Sequence, residues 1–457
     1  MYLTTKIHQT EKHHEVDLNI LRYLCYHAAR LYNVGLYSVR QHFFNTQKYL
    51  SYNSNYKECC DNENYHILLS DCSQQILRLV DRDFQSFFKL LILKRSGKYS
   101  EKVRIPRYKN KEALMVCPIQ GRSARIQKNG TITIGLTKEF RELYNIEQKK
   151  ITLTIPKNIR NVEQFKEIRI IPEFNGKCFS IEFIYESKNQ RIQASGNGYM
   201  SIDPGVSNLA SCTIFSNGRF QQFIIDGKRL KNINYYYNKM VAKLKSEYDR
   251  SKIYNNITKR MHRLINGRNN RINDYMNNAV KYIIDMCIES GVTTLVIGYN
   301  KEQKKDIYIG KKNNQNMCYI PHNKFRNKLA YQCELHGITY CPQEESYTSK
   351  ASAIDDDFIP DYGDSHIPEF SGKRVKRGLY QTSDGSLINA DINGSVNILK
   401  KHFKERKSNV VFTTDDVRVL VNAPCTRINP WLKAATPLVQ TAVYRNLLEA
   451  IFVASFF

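Results

Sequence analysis

Little in this chain would cross-link it, anchor it in a membrane or balance its charge. The twelve cysteines include no C-x-x-C pair and only one close pair, Cys59-Cys60. Neither a disulfide framework nor a zinc cluster is signalled, and the thiols read as reduced. No apolar run approaches the roughly 18 residues that a membrane span needs. The stretch from Met1 to Lys6 lacks the apolar core of a signal peptide, so cytoplasmic residence is expected. Acidic residues are also scarce: 43 stand against 69 Lys and Arg, leaving a net charge of +26. That excess is beyond what solubility requires and points to a polyanionic partner. The 30 Tyr and 21 Phe set among these cations could add base stacking to phosphate contacts. At 457 residues the chain is long enough for two to four domains.

Two distant stretches carry the candidate chemistry. The apolar run Tyr199-Met200-Ser201-Ile202 ends in Asp203, and Pro204-Gly205 then turns the backbone ahead of a second alternating run, Leu209 to Phe215. This pattern predicts a strand, a tight turn and an antiparallel return strand, with Asp203 at a strand end where its carboxylate can reach a metal ion. Far along the chain, Asn389 to Leu399 opens a helix whose apolar residues Ile392, Val396 and Leu399 recur at i, i+4 and i+7. Asp391 falls in its first turn, where backbone N–H groups favour the ionised carboxylate that a hard cation needs.

Between these landmarks the periodicity changes several times. Leu21, Leu24, Ala28, Leu31 and Val39 follow helical spacing, as do Ile76, Val80, Phe84, Phe87 and Leu91 after a candidate cap at Ser73. From about 98 to 186 short alternating segments flank Asn129-Gly130 and Asn175-Gly176, which predicts antiparallel strands. Arg104-Ile105-Pro106-Arg107-Tyr108-Lys109 is extended and basic, suited to tracking a phosphate backbone. A long basic helical stretch, about 228 to 289, carries Arg260, Arg263, Arg268 and Arg271 with few acidic neighbours, a candidate nucleic-acid surface. Thr293 to Ile297 reads as a buried strand, and helix Pro321 to His336 leads into a short strand, Ile338 to Glu345. Asp355-Asp356-Asp357 reads as a solvated acidic loop, and Lys373, Arg374 and Arg377 could hold a DNA strand.

The Asp203 and Asp391 stretches resemble the first and third motifs of a RuvC-type nuclease. More closely they resemble the TnpB family, transposon-encoded RNA-guided endonucleases also called OrfB transposases and related to type V CRISPR effectors. The likeness continues through Thr294-Leu295-Val296-Ile297-Gly298-Tyr299-Asn300, Gln343-Glu344-Glu345-Ser346-Tyr347-Thr348-Ser349-Lys350 and Phe370-Ser371-Gly372-Lys373-Arg374. It covers nearly everything up to about residue 405.

The resemblance implies α/β architecture with all-β and all-α parts: a ribonuclease H-like (RuvC) nuclease domain and an N-terminal β-barrel interrupted by a helical recognition insert. The barrel would take 1–16 and 98–186, the insert 17–97, a linker 187–197 and the nuclease 198–345 and 389–405. An insert at 346–388 would hold the place of the family's zinc ribbon. The tail 406–457 has no counterpart, and a packed helix is expected at Leu447 to Phe457. Two Mg²⁺ (or Mn²⁺) ions on Asp203, Glu345 and Asp391 are implied, with guide RNA and target double-stranded DNA as partners.

Two departures bear on that expectation. No cysteine lies between Ala351 and Asn389, so no zinc is expected. Gly298 stands where most of the family has its second catalytic carboxylate. Either a metal ligand has been lost, leaving a nuclease-inactive RNA-guided DNA-binding regulator, or a carboxylate from the next strand fills the same volume, as in a subgroup of the family. Glu345 matches that relocated glutamate, and Glu344, one residue off, should face the other way. An accessory transposase is a further alternative.

Overall fold

The computed structural model describes residues 2–9, 15–186, 192–251, 258–300, 319–364, 367–376, 378–406, 412–421, 423 and 425–433. The chain divides into two compact units, Met1–Asn189 and Gln190–Phe457, with the division inside the polar stretch 187–197.

In the first unit, β1 (Tyr2–Gln9) is followed by helices α1 (Glu15–Thr46), α2 (Tyr52–Cys59), α3 (Glu63–Ile67) and α4 (Ser70–Arg95). Strands β2 (Cys117–Gln120), β3 (Ala124–Ile126) and β4 (Thr131–Gly135) come next, then α5 (Lys138–Tyr144), β5 (Lys150–Thr154), β6 (Phe165–Glu173) and β7 (Cys178–Glu186). The helical spacing is realised as burial: Leu24, Ala28, Leu31, Ile76, Val80 and Phe84 share one core. Ser73 does not cap α4. It lies within the helix, fully buried, and its hydroxyl donates to the Tyr65 carbonyl at 2.8 Å, because the helix begins three residues earlier. The strands were expected to form one barrel. They are divided instead between an antiparallel sheet of order β1-β7-β6-β2 and another of order β3-β4-β5. No single ladder closes among the described residues.

The second unit is built on β8 (Gly198–Asp203), β9 (Asn208–Ser216) and β10 (Arg219–Asp226), then α6 (Lys228–Arg250), α7 (Lys259–Glu289), β11 (Val292–Tyr299), α8 (His322–Leu335) and β12 (Thr339–Glu344). A small hairpin sheet follows, β13 (Lys373–Lys376), β14 (Leu379–Gln381) and β15 (Leu387–Asn389), before α9 (Ala390–Glu405), α10 (Thr414–Arg418), β16 (Thr426–Ile428) and α11 (Pro430–Lys433). The main sheet has the order β12-β11-β8-β9-β10-β16. β8, β9 and β10 are antiparallel, whereas β11 and β12 run parallel to β8. This is the order and polarity of a ribonuclease H-like sheet. Residues from α7 and α8 cover one face and residues from α9 the other.

The described part of the tail is not peripheral. β16 pairs parallel with β10, Ile428 is buried in the core, and Trp431 packs edge-on against Tyr275 while its indole donates to Asp274 at 2.8 Å. The helix expected at Leu447 to Phe457 lies outside the described residues. The described cysteines are free thiols, and no described helix is long and apolar enough to cross a membrane.

Candidate active site

Side chains alternate along a strand, so Tyr199, Ser201 and Asp203 of β8 share one face of the sheet. All three meet α9. Tyr199 packs edge-on against Phe403 with ring centroids 4.8 Å apart, and the Ser201 and Ser395 hydroxyls lie 3.0 Å from each other. Asp203 ends beside Gly394, where a Cβ would stand 2.9 Å from Asp203 Oδ2. Glycine within a helix costs about 1 kcal/mol relative to alanine. Here it lets the helix approach the carboxylate.

The parallel strands bring the next two positions to the same edge. Ile297 of β11 pairs with Ile202 of β8, and Tyr299 pairs with Glu344 of β12. A Cβ on Gly298 would meet Glu345 Oε2 at 2.2 Å and Ile398 Cδ1 at 2.9 Å. The Glu345 carboxylate therefore stands in the volume that a side chain at 298 would need.

Glu344 is turned to other work. One oxygen accepts from the Ser346 amide at 2.7 Å and the other pairs with Lys401, whose side chain is only 2% exposed and also pairs with Asp361 at 2.8 Å.

Asp391 is presented by the first turn of α9. The Asn389 side chain caps this helix, accepting from the amides of Asp391 and Ile392 at 3.0 and 3.2 Å, an interaction worth about 1 kcal/mol. Asp391 Oδ1 accepts from the Arg374 guanidinium at 2.8 Å, and Oδ2 accepts from the Asn208 amide at 2.6 Å. Below this turn, Asn393 and Asn397 are fully buried and bind main chain rather than side chains. Asn397 donates to the carbonyls of Thr348 and Ala351 at 2.9 and 2.7 Å. Asn393 donates to the Ala351 carbonyl at 2.8 Å and accepts from the Ala353 amide at 2.9 Å. One helix thus carries Asp391, abuts Asp203 and grips the loop that begins at Glu345.

Burial and mutual repulsion shape the electrostatics. The Asp203 carboxyl is held well above the usual carboxylate range, first by burial, then by the charges of Glu345 and Asp391, with Arg374 acting in the opposite direction. Burial pushes Glu345 up to about 7, opposed by Arg326 and assisted by Glu344. The donors are all oxygen, the charges repel until a cation arrives, and a guanidinium already rests on one of them. That chemistry fits a hard divalent ion.

The candidate nucleic-acid residues divide by environment. In the first unit Arg104, Arg107 and Tyr108 are exposed. Their segment is tethered to α1 by paired bonds between Asn33 and the Lys109 main chain (2.8 and 2.9 Å), and Arg40 stacks on Tyr108 at 4.7 Å. In the second unit Arg263 and Arg271 are exposed, while Arg260 pairs with Glu247 of α6 at 3.2 Å. Arg268 is committed internally: its guanidinium donates to Asn234 (2.8 Å), the Tyr319 carbonyl (3.0 Å) and Asn269 (3.0 Å). It braces α6 against α7, which removes it from the free cationic surface. Lys373 is exposed on β13, Arg374 lies on Asp391, and Arg377 lies outside the described residues.

The insert expected in the zinc-ribbon position is tied by carboxylates. Asp355 accepts from the Ser383 amide and hydroxyl (3.1 and 2.6 Å), Asp357 accepts from the Ser352 and Ser371 amides (2.7 and 3.1 Å), and Asp356 pairs with Lys400 at 2.5 Å. The acidic run is thus a set of loop ties and not a freely solvated loop.

Several residues of this neighbourhood carry little sequence signal. Asn208, Asn393 and Asn397 bind partners 40 to 219 residues away, and nothing marks them locally. Tyr235 and Tyr236 on α6 are 71% and 55% exposed beside exposed Lys239 and Lys243. An aromatic pair in a basic helix was the available clue to that surface.

Residues 182–304 match the family described as a probable transposase, and residues 322–398 the family described as Cas12f1-like, TNB domain. These matches are to TnpB-type proteins and type V effectors, which the chain resembles. It is similar to the TnpB-like protein ORF457 of Acidianus two-tailed virus, with 24% identity over 427 residues, 87% of this chain and 88% of that protein. Among solved structures it resembles the Cas12f1 chain of a Cas12f1-sgRNA-target DNA complex, with a TM-score of 0.56, 17% identity, and 84% and 83% of the two chains covered.

Proposed function

We propose that this protein is a transposon-associated RNA-guided DNA endonuclease with a RuvC-type site made of Asp203, Glu345 and Asp391. The observation that carries this reading is the Glu345 carboxylate, lodged in the space vacated at Gly298 and within the electrostatic reach of Asp203. A chain that had lost its second ligand would not need a buried glutamate there, so the geometry favours the nuclease over a binding-only regulator.

Asp203, Glu345 and Asp391 would hold two Mg²⁺ or Mn²⁺ ions. Bound there, the ions would supply an activated water and charge stabilisation for phosphodiester hydrolysis. Arg374 would exchange Asp391 for a backbone phosphate when DNA arrives. Arg104, Arg107, Tyr108, Arg263, Arg271 and Lys373 would bind phosphate, while Arg260 would first have to leave Glu247. Sequence choice would come from base pairing with a guide RNA, as in related RNA-guided effectors. The relative solved with sgRNA and target DNA supports both partners.

The test is cleavage of guide-matched duplex DNA by protein purified with its RNA. Asp203→Ala and Glu345→Ala are expected to abolish metal-dependent cutting while RNA retention stays at the parent level. The double variant Gly298→Asp/Glu345→Ala, which returns a carboxylate to the strand end, should recover part of the activity. Equal loss of cutting and RNA retention in Asp203→Ala would refute the assigned role.

A further inference from the structure

The 412–433 segment lies beyond both family matches, yet it reaches the candidate site. β16 adds to the edge of the sheet with Arg427 paired to Ile224 of β10. From there the Arg427 guanidinium donates to Asn208 Oδ1 at 2.8 Å and to Asp226 Oδ1 at 3.0 Å. A register shift between Ile225 and Asp226 sets Asp226 opposite Asn208, so both acceptors face the same cation. Asn208 is 7% exposed, and its Nδ2 donates to Asp391 Oδ2 at 2.6 Å.

Arginine can only donate. Whatever accepts from it must be the carbonyl end of the amide, which leaves the NH₂ end to face Asp391. Reversed, the amide would set a carbonyl oxygen against a carboxylate oxygen. Arg427 therefore determines which way Asn208 points, and through it the rotation of Asp391.

We infer that Arg427 is a positioning residue of the nuclease site, acting through Asn208 on Asp391, and that β16 is thereby part of the active-site apparatus. This rests on the proposed role of Asp391 as a metal ligand. Partners that orient metal-binding carboxylates commonly alter metal affinity by about 10- to 100-fold when removed.

The experiment measures Mn²⁺ affinity of the full chain, by calorimetry or by the free Mn²⁺ signal in electron paramagnetic resonance, without cleavage as the readout. Arg427→Met keeps the aliphatic stem and removes the donors. It should weaken Mn²⁺ binding by about tenfold or more, and Arg427→Lys should restore part of the loss. Asn208→Ala should match the Met variant, and Arg427→Met/Asn208→Ala should lose no more than either alone. Unchanged affinity in Arg427→Met, or losses that multiply in the double variant, would overturn the inference. If Arg427→Met fails to fold, Arg427→Gln and Asn208→Ser probe the same link from each side. Parent-like Mn²⁺ binding by Asp391→Ala would instead reject Asp391 as a ligand, and the inference with it.

Discussion

Glu345 shows how one residue's environment sets its proton affinity. Its carboxyl is buried in the hollow at Gly298, and its pKa is pushed up to about 7. In the metal-free chain the folded state keeps this proton up to about pH 7, whereas the unfolded chain releases it near its ordinary value. The resulting stabilisation is complete at low pH and is lost as pH rises through about 7. Asp203, also raised, acts in the same direction. Glutamine cannot ionise. With EDTA present, the melting temperature of Glu345→Gln minus that of the parent should therefore grow between pH 5 and pH 8 in differential scanning fluorimetry. A difference independent of pH would mean that burial does not hold the proton on Glu345.

At the scale of the element, α9 organises the site. Its apolar stripe, Ile392, Val396 and Leu399, was legible from periodicity and is buried as expected. Its polar stripe was not legible, because the partners of Asn393 and Asn397 are backbone atoms of residues 348–353, brought close only by the turn after β12. Asn397→Ala removes two bonds and takes the side-chain donor from the buried Thr348 carbonyl, a cost of about 1–3 kcal/mol, while the Ala351 carbonyl keeps its bond from Asn393. Hydrogen exchange in the full chain should show faster exchange across 346–353, next to Glu345, while β8 and β9 keep their protection. Uniform loosening of the sheet would contradict this local role. β12 and its turn matter for the same reason: they separate Glu344, locked to Lys401, from Glu345 one peptide further on.

For the whole molecule the relevant quantity is charge. A net +26 carried by two units makes long-range attraction to nucleic acid strong and sensitive to salt. Neutralising six or more phosphates implies that RNA affinity falls by about a thousandfold or more between 50 and 200 mM salt. In filter binding, the double variant Arg104→Ala/Arg107→Ala should weaken RNA binding and reduce the slope of log affinity against log salt by about two. An unchanged slope would remove this segment from the phosphate-binding surface. Arg268→Ala should leave the slope unaltered, since its guanidinium is bonded to Asn234, Asn269 and the Tyr319 carbonyl.

Composition, strand alternation and helical spacing were enough by themselves to place most elements, to put Asp203 at a strand end and Asp391 in a first helical turn, and to indicate a polyanionic partner. Those features depend on neighbours within a few residues, which periodicity records. Glu345 was already singled out over Glu344 by its match to the relocated glutamate, but only the tertiary structure decided that its carboxylate fills the hollow beside Gly298, that Arg374 lies on Asp391 and that Arg268 faces inward. It also decided that Arg427 completes a chain of donors to the same carboxylate. Each of these depends on side chains tens to hundreds of residues apart meeting at one sheet edge, where distance along the chain carries no record of distance in space.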